Sequence, residues 1–538
     1  MIKSLVCACS LLAIGCTAYA ADRPNILFIA VDDLRPALGT YGVNVVHSPN
    51  IDRLAETGLR FDRAYCQYAI CGPTRASLLT GLRPDTLKID DIDTFFRNTV
   101  PDLITMPQYF KQHGYETVYV GKVFHPGQTD DANSWNYHVP VPAEKGPEYK
   151  LPESLAIIKQ RREDGIAKYG KKSKLEGLTA GPVYEGADAP DSSYMDGQVA
   201  DGAIKALRDL KKNQPFFLGV GFHKPHLPFV APKKYFDLYD PATLPLTDTP
   251  NPPTGAPTMA LHSSFELRTR YGVPLSGPID DATQRKLLQA YYACVSFVDA
   301  QVGRVLEELD KEGLRTNTII VLWGDHGWHL GEYGMWGKAT DFEVATRVPL
   351  IVCDPRAAVH GQGTKALVEY VDIYPTICDL AGLPIPPQLP GRSFAPLLSH
   401  PDLPWKKAAF SQFPTPALRE WAARPLTPEM RQTFFGPIIA QVEQKLRAEN
   451  GDRYDQDIFE NHMMGYSMRT DRYRLTIWVD RRHPEEKPYA IELYDHDIDP
   501  RESVNVAGVP ENAALVESLR QELLAALRKT PYEPNVAP

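Results

Sequence analysis

The chain predicts an α/β protein: a large, mostly parallel β-sheet flanked by helices, then a smaller α+β subdomain with an antiparallel sheet. Three observations carry this. Short uninterrupted apolar runs recur from Asp22 to about residue 400, as strands buried on both faces require. Segments with helix start and stop signals separate them. After about residue 440 the pattern turns to period-two alternation, the mark of antiparallel strands with one solvated face.

"NILFIAV" (25–31) is the first buried strand. Ser48-Pro49 opens a short helix, with Ser48 as N-cap, Pro49 at the first position and Gly58 as its stop. Residues 105–115 repeat that grammar with Thr105, Pro107 and Gly114. "ETVYVG" (116–121), "PFFLGVGF" (215–222), "NTIIVLWG" (317–324) and "VPLIVC" (348–353) are further strands, and residues 284–312 form a long helix. Segments 128–195 and 245–283, rich in Pro, Gly and charge, read as long loops on one rim, where specificity usually resides. Residues 465–480 and 489–497 alternate as antiparallel strands before a terminal helix at 513–529. The division expected is 1–20 as a leader, 21–440 as the main domain and 441–538 as the C-terminal subdomain.

A net charge of −9 argues against a nucleic-acid binder, and any anionic substrate must be captured by a local cluster of cations. "MIKSLVCACSLLAIGCTAYA" has one Lys, an apolar run and small residues before Ala20: a secretory signal peptide, too short to span a membrane. Ala13-Ile14-Gly15-Cys16 offers a lipid-anchored alternative at Cys16. Export to the periplasm or medium follows, without a membrane span. Cleavage leaves five of the eight cysteines (Cys66, Cys71, Cys294, Cys353, Cys378), too sparse for a disulfide scaffold.

Ligands of open parallel sheets bind at the carboxyl ends of strands. The strands here are followed in turn by Asp32-Asp33, by Lys122 and His125, by His223, Lys224 and His226, and by Asp325-His326. Singly, each is ordinary: a helix cap, a loop histidine, a turn. Together, three carboxylates and a histidine on one rim repel one another without a cation, and hard oxygen donors favour Ca²⁺ or Mg²⁺ over zinc. Cys71 precedes an apolar helix-forming stretch, so it sits at a helix N-terminus, which favours an anion. A Cys66–Cys71 disulfide and a thiolate nucleophile are both compatible with that position.

Cys71-Gly72-Pro73-Thr74-Arg75 fits the C-x-P-[ST]-R signature, and the chain resembles the formylglycine-dependent (type I) sulfatases. The likeness extends over "VDDLRPALGTYG" (31–42), "SPNIDRLA" (48–55), "GKVFHPG" (121–127), "FHKPHLPF" (222–229), "GDHGWHLGEYGMWGK" (324–338), "MGYSMRTDRYRLTIWV" (464–479) and "ELYDHDIDPRESVN" (492–505). Two residues between Lys122 and His125, and His326 after the acid, match the iduronate-2-sulfatase branch. The resemblance implies the alkaline-phosphatase-like fold, one Ca²⁺ held by Asp32, Asp33, Asp325, His326 and the modified Cys71, and conversion of Cys71 to Cα-formylglycine by a maturation enzyme. It further implies that Arg75 holds the formylglycine hydrate and that Lys122 and Lys338 bind sulfate oxygens. His125 would stand beside the nucleophile, His226 near the leaving oxygen, and Trp328 would line the substrate pocket.

By that resemblance, one hydroxyl of the hydrated aldehyde attacks sulfur to give a sulfated enzyme, with His226 as general acid. The second hydroxyl loses its proton to His125, expelling sulfate. The expected function is an exported sulfatase acting on sulfated saccharides, such as the 2-O-sulfate of a uronic acid in glycosaminoglycan or similar polysaccharide fragments. A phosphonate monoester or phosphodiester hydrolase and a catalytically silent glycan-binding relative are the alternatives.

Overall fold

The computed structural model describes residues 23–142, 148–170, 180–210, 214–419 and 423–529; the expected leader, with Ala20 and Cys16, lies outside them. Nine strands form the main sheet: β1 (Asn25–Val31), β2 (Leu59–Tyr65), β3 (Glu116–Gly121), β4 (Tyr137–Val139), β5 (Phe216–Phe222), β6 (Thr318–Gly324), β7 (Arg347–Cys353), β8 (Gln362–Thr364) and β9 (Val368–Glu369). Their order is β8-β2-β7-β6-β1-β5-β3-β4, with β9 beside β2. Central β1 pairs in parallel with β5 and β6, and β3 continues in parallel from β5. β7 runs antiparallel to both β6 and β2. An apolar run shows a strand but not its direction, so the sheet is more mixed than the sequence suggests.

Side chains alternate across the sheet because successive residues of a strand point to opposite faces. In β1, Leu27, Ile29 and Val31 enter one core, and Ile26, Phe28 and Ala30 enter the other. Each such side chain contributes about 1.5–3 kcal/mol by leaving water. Among the helices are α1 (Pro49–Glu56), α2 (Cys71–Thr80), α3 (Met106–Gln112), α4 (Pro152–Tyr169), α5 (Met195–Asp209) and α6 (Asp281–Lys311). α1, α5 and α6 close the first core, and α2 and α3 close the second.

Thr105 caps α3 in a reciprocal capping box with Gln108. Ser48 does not cap α1 as expected. Its hydroxyl accepts from the Gly39 N–H (2.9 Å), and the Asn50 and Ile51 N–H groups donate instead to Asp299 of α6 (3.0 and 2.7 Å). A tertiary acceptor has replaced the local one. Segment 128–195, expected as loop, contains the 18-residue α4. Only Ser154 of that helix is buried, so no apolar stripe announces it.

The C-terminal sheet is antiparallel, ordered β10 (Ala408–Pro414), β11 (Met463–Thr470), β12 (Tyr473–Asp480) and β13 (Ala490–Asp495). α7 (Ala513–Leu527) packs on it through Leu519, Leu523 and Leu524. β10 precedes residue 440, and six of its seven residues are buried; β11 buries seven of its eight, so neither strand has the solvated face that the alternation suggested. Among the described residues, no helix is long and apolar enough to cross a membrane.

Candidate active site

The parallel strands β1, β3, β5 and β6 deliver their carboxyl ends to one rim. Backbone bonds extend the pairing one residue past each strand. Asp32 N–H donates to Phe222 O (3.1 Å), Asp325 N–H to Val31 O (3.2 Å) and Lys122 N–H to Gly221 O (2.9 Å). β3 and β5 touch so closely here that a Cβ on Gly221 would lie 2.1 Å from the Lys122 carbonyl carbon, and one on Gly121 2.2 Å from the Gly221 oxygen. The next residue, Asp33, turns the chain at a left-handed φ of 58°. Its N–H donates to Asp325 Oδ1 (2.9 Å), and its carbonyl accepts from the Tyr291 hydroxyl (2.8 Å).

Arg75 on α2 is completely buried. It donates through Nε to Asp325 (2.9 Å), through Nη2 to Asp32 (3.0 Å) and through Nη1 to the Lys122 and Val123 carbonyls, over the Trp323 ring (5.3 Å). Lys122 Nζ pairs with Asp32, and Lys338 Nζ with Asp33 (2.8 Å). The three carboxylates share these cations unequally. Burial pushes Asp32 up, but Lys122 and Arg75 outweigh it and hold the group well below the ordinary carboxylate range. Burial wins at Asp33, which rises well above that range, and at Asp325, raised to about 6 by burial and by Asp32.

His326 shows what this cluster lacks. Its Nδ1 faces Gly327 O (3.1 Å), which only accepts, so Nδ1 carries the proton. Burial holds the ring well below its usual pKa and therefore neutral. Its Nε2 lone pair then points among Asp33 Oδ1 (3.4 Å), Asp325 Oδ1 (3.5 Å) and Cys71 Sγ (3.3 Å). Asp33 Oδ2 is buried with no hydrogen-bond partner among the described residues. Carboxylate oxygens and an imidazole lone pair converging on one point fit a cation, whose binding would displace the protons that burial leaves on Asp33 and on the Cys71 thiol, and the oxygens suit a hard divalent one.

Cys71 occupies the first turn of α2, its Sγ 3.4 Å from Lys338 Nζ. All five cysteines among the described residues are free and buried, so no Cys66–Cys71 bridge forms. Burial and then Asp32 push the Cys71 thiol well above its usual value, outweighing Lys122 and Lys338. A thiolate nucleophile is therefore disfavoured here despite the helix N-terminus.

A cavity of about 420 Å³ opens above Cys71, lined by Lys122, His125, His226 and Lys338. Asp32, Asp33, Arg75, Asp325 and His326 lie fully buried beneath it. His125 is lowered to about 4 by burial and Lys122, and its Nδ1 has no partner among the described residues. His226 holds Leu227 O with Nδ1 (2.6 Å) and is kept well below its usual pKa by burial and Lys338. Trp328, expected to line the pocket, does not: it is fully buried in the core against Phe229 (6.2 Å), with Lys338 Nζ 5.4 Å over its ring. The chain turns inward after His326, so Trp328 supports Lys338 from below. Lys224, read among the anion-binding groups, is tied to Glu148 and to the His226 and Pro228 carbonyls.

The cavity also takes charged residues that the strand-end reading leaves out, Glu266 and Arg270 among them. Glu266, from the 245–283 segment, stands 3.5 Å from His226 Nε2 and 3.8 Å from Lys338 Nζ. Arg270 lies one helical turn further on. Neither follows a strand, so the strand-end reading could not reach them.

The sulfatase family profile matches residues 24–383. Iduronate 2-sulfatase of Mus musculus is 36% identical over 93% of this chain and 94% of its own, and that of Homo sapiens is 35% identical over 96% and 97%. A solved protein in complex with its substrate D-glucosamine-2-N,6-O-disulfate superposes with a TM-score of 0.68 at 22% identity, covering 95% of this chain and all of that one. It shares the alkaline-phosphatase-like fold. Strand-end acids, a C-x-P-T-R helix start and likeness along nearly the whole length agree, and the chain belongs to the sulfatase family of sulfuric ester hydrolases.

Proposed function

We propose that this enzyme removes the 2-O-sulfate of a uronic acid residue from glycosaminoglycan or similar polysaccharide fragments after export. The observation that carries the reading is the placement of Cys71, at the floor of a cavity of about 420 Å³, between Lys338 and the lone pair of His326. Residue-long likeness to the iduronate 2-sulfatases supports the uronate.

Asp32, Asp33, Asp325 and His326 would hold a Ca²⁺, which when bound acidifies a hydroxyl beside it and offsets charge on the sulfuryl oxygens. Cys71, matured by a dedicated enzyme to Cα-formylglycine, would supply as its hydrate a nucleophilic hydroxyl and a second one whose deprotonation breaks the C–O bond to the sulfate and restores the aldehyde. Lys122 and Lys338 bind the sulfuryl oxygens, worth several kcal/mol as charge develops. Arg75 locks Asp32 and Asp325 in place. His226 presents Nε2 to the cavity. An arriving sulfate monoanion offsets Lys338 and, with Glu266, draws a proton onto that nitrogen for the leaving sugar oxygen. His125, neutral and with Nδ1 unengaged, accepts a proton in return.

Sulfate release should be measured from a 2-O-sulfated uronate disaccharide beside phosphonate monoester and phosphodiester substrates. The sulfate ester should turn over fastest, and faster phosphoester hydrolysis would overturn the reading. The mass of the peptide spanning 64–75 should show an aldehyde or its hydrate at Cys71. A protein that carries only thiol there yet cleaves sulfate esters at full rate would remove the formylglycine from the proposal.

A further inference from the structure

The active-site cavity continues past its own rim. Arg270 lines both it and a second recess of about 580 Å³, framed by Arg161, Lys168 and Tyr169 of α4, by Tyr271 and by Phe434. Among the described residues, three cations, Arg161, Lys168 and Arg270, meet there with one lining carboxylate, Asp164, which already accepts from Gln160 Nε2 (2.9 Å). That is a local excess of positive charge on a chain of net −9. In the adjoining cavity Lys122, Lys338 and Lys224 are each paired with a carboxylate. Arg270 forms no ion pair among the described residues, and its Nε is buried without a hydrogen-bond partner there.

Tyr271 is the second observation. Its side chain stands in the open at 50% exposure, yet its backbone is held on both sides: N–H donates to Gly181 O (3.0 Å), and its carbonyl accepts from Val183 N–H (2.9 Å). Arg161 lies 5.9 Å over the ring and is itself anchored by Nη2 to Thr269 O (2.9 Å). An exposed aromatic face with little backbone freedom, ringed by cations, matches a pyranose that carries anionic substituents. The ring covers the sugar's C–H face while guanidinium and ammonium groups pair with sulfate or carboxylate oxygens.

We infer that this recess binds the second residue of a sulfated or uronate-containing oligosaccharide, with Tyr271 against the sugar face and Arg270, Arg161 and Lys168 on its anionic groups. The inference rests on the saccharide reading above. The enzyme would grip two consecutive sugars, the terminal one over Cys71 and the next against α4.

The test compares a 2-O-sulfated uronate methyl glycoside with a tetrasaccharide ending in the same residue. The wild-type enzyme should show a KM about tenfold lower for the tetrasaccharide. Tyr271→Ala and Lys168→Ala should each raise that KM roughly three- to tenfold, with the methyl glycoside constants and the melting temperature unchanged. Equal KM values for the two substrates in the wild type, or variants that affect both substrates alike, would overturn the inference and leave the sulfatase reading intact. Absence of sulfate release from both substrates would count against the saccharide reading instead. Titration of the tetrasaccharide into wild-type and Tyr271→Ala protein then decides the recess: weaker binding to the variant supports it, and equal or absent binding refutes it.

Discussion

Beneath the cavity, Asp32, Asp33, Asp325 and His326 converge within ligand distance of Cys71; where the main and C-terminal sheets meet, Glu343, Glu502 and His496 converge in the same way. At the second place Arg474 of β12, 1% exposed, donates to Glu502 and Glu343 (both 2.6 Å), and His496 Nε2 lies 2.9 Å from Glu502. Burial alone would raise both glutamates, but Arg474 outweighs it and holds them below their ordinary range. Under the cavity the outcome is divided: Asp32 is held low, but Asp33 and Asp325 rise, and a histidine lone pair faces carboxylate oxygens. Similar residue types thus make a closed ion network at one site and an unevenly neutralised cluster at the other. The difference is whether the protein's cations hold every carboxylate down: Arg474 does so for both glutamates, whereas Arg75, Lys122 and Lys338 leave Asp33 and Asp325 raised.

Breaking the unevenly neutralised cluster should have the largest effect. Asp325→Ala should lower sulfate release by more than about 10³-fold, the order expected when preorganised electrostatic groups are lost, and abolish the rise in melting temperature that added calcium should give the wild type. Activity within tenfold of wild type would remove Asp325 from the site. Breaking the closed cluster should cost stability instead. Arg474→Met removes the cation shared by two buried carboxylates and leaves Glu343 to Arg469 and Glu502 to His496, a loss of about 3 kcal/mol in denaturant unfolding, with turnover per folded molecule unchanged. A defect in turnover at full stability would join the two clusters functionally.

The pH response sharpens the contrast. Glu343 and Glu502 have folded pKa values below the ordinary 4.5, so their stabilising effect is whole above that pH and fades as pH falls through it. The wild type should lose stability steeply below about pH 4.5, and Arg474→Met should flatten that dependence in acid melting curves. An unchanged slope would show that Arg474 does not set it. The smallest effect belongs to Cys66, buried five residues from Cys71 and unbridged. Cys66→Ala should cost about 1 kcal/mol and leave sulfate release intact, whereas Cys71→Ala should abolish it. Loss of both activity and fold in Cys66→Ala would reopen the question of a bridge.

Much of the site was legible because a parallel sheet concentrates chemistry at strand ends, and buried parallel strands are the plainest apolar runs a sequence contains. That is how Asp32, Lys122, His226 and Asp325 could be grouped before any contact was known. What escaped lacks local signal. The direction of β7 is not encoded in its own residues, and β10 is covered on both faces. α4 buries only Ser154. Glu266 and Arg270 reach the cavity from a segment whose composition says loop. Trp328 was misjudged because two residues of irregular chain after His326 decide between pocket and core, a choice that depends on tertiary packing.

Gly121 and Gly221 lie where β3 and β5 come too close for a side chain on either. That contact works like the pivot of a pair of tweezers. Its width sets how far Lys122, carried on one arm, stands from the His223–His226 loop, carried on the other. A methyl group there would touch no substrate, and every reacting residue would keep its identity. The alignment of the cation with the acid would still change, so a substitution that looks harmless by chemistry would read in an assay as a catalytic defect. In this enzyme, what is inherited at the active site includes two positions whose contribution is the absence of atoms.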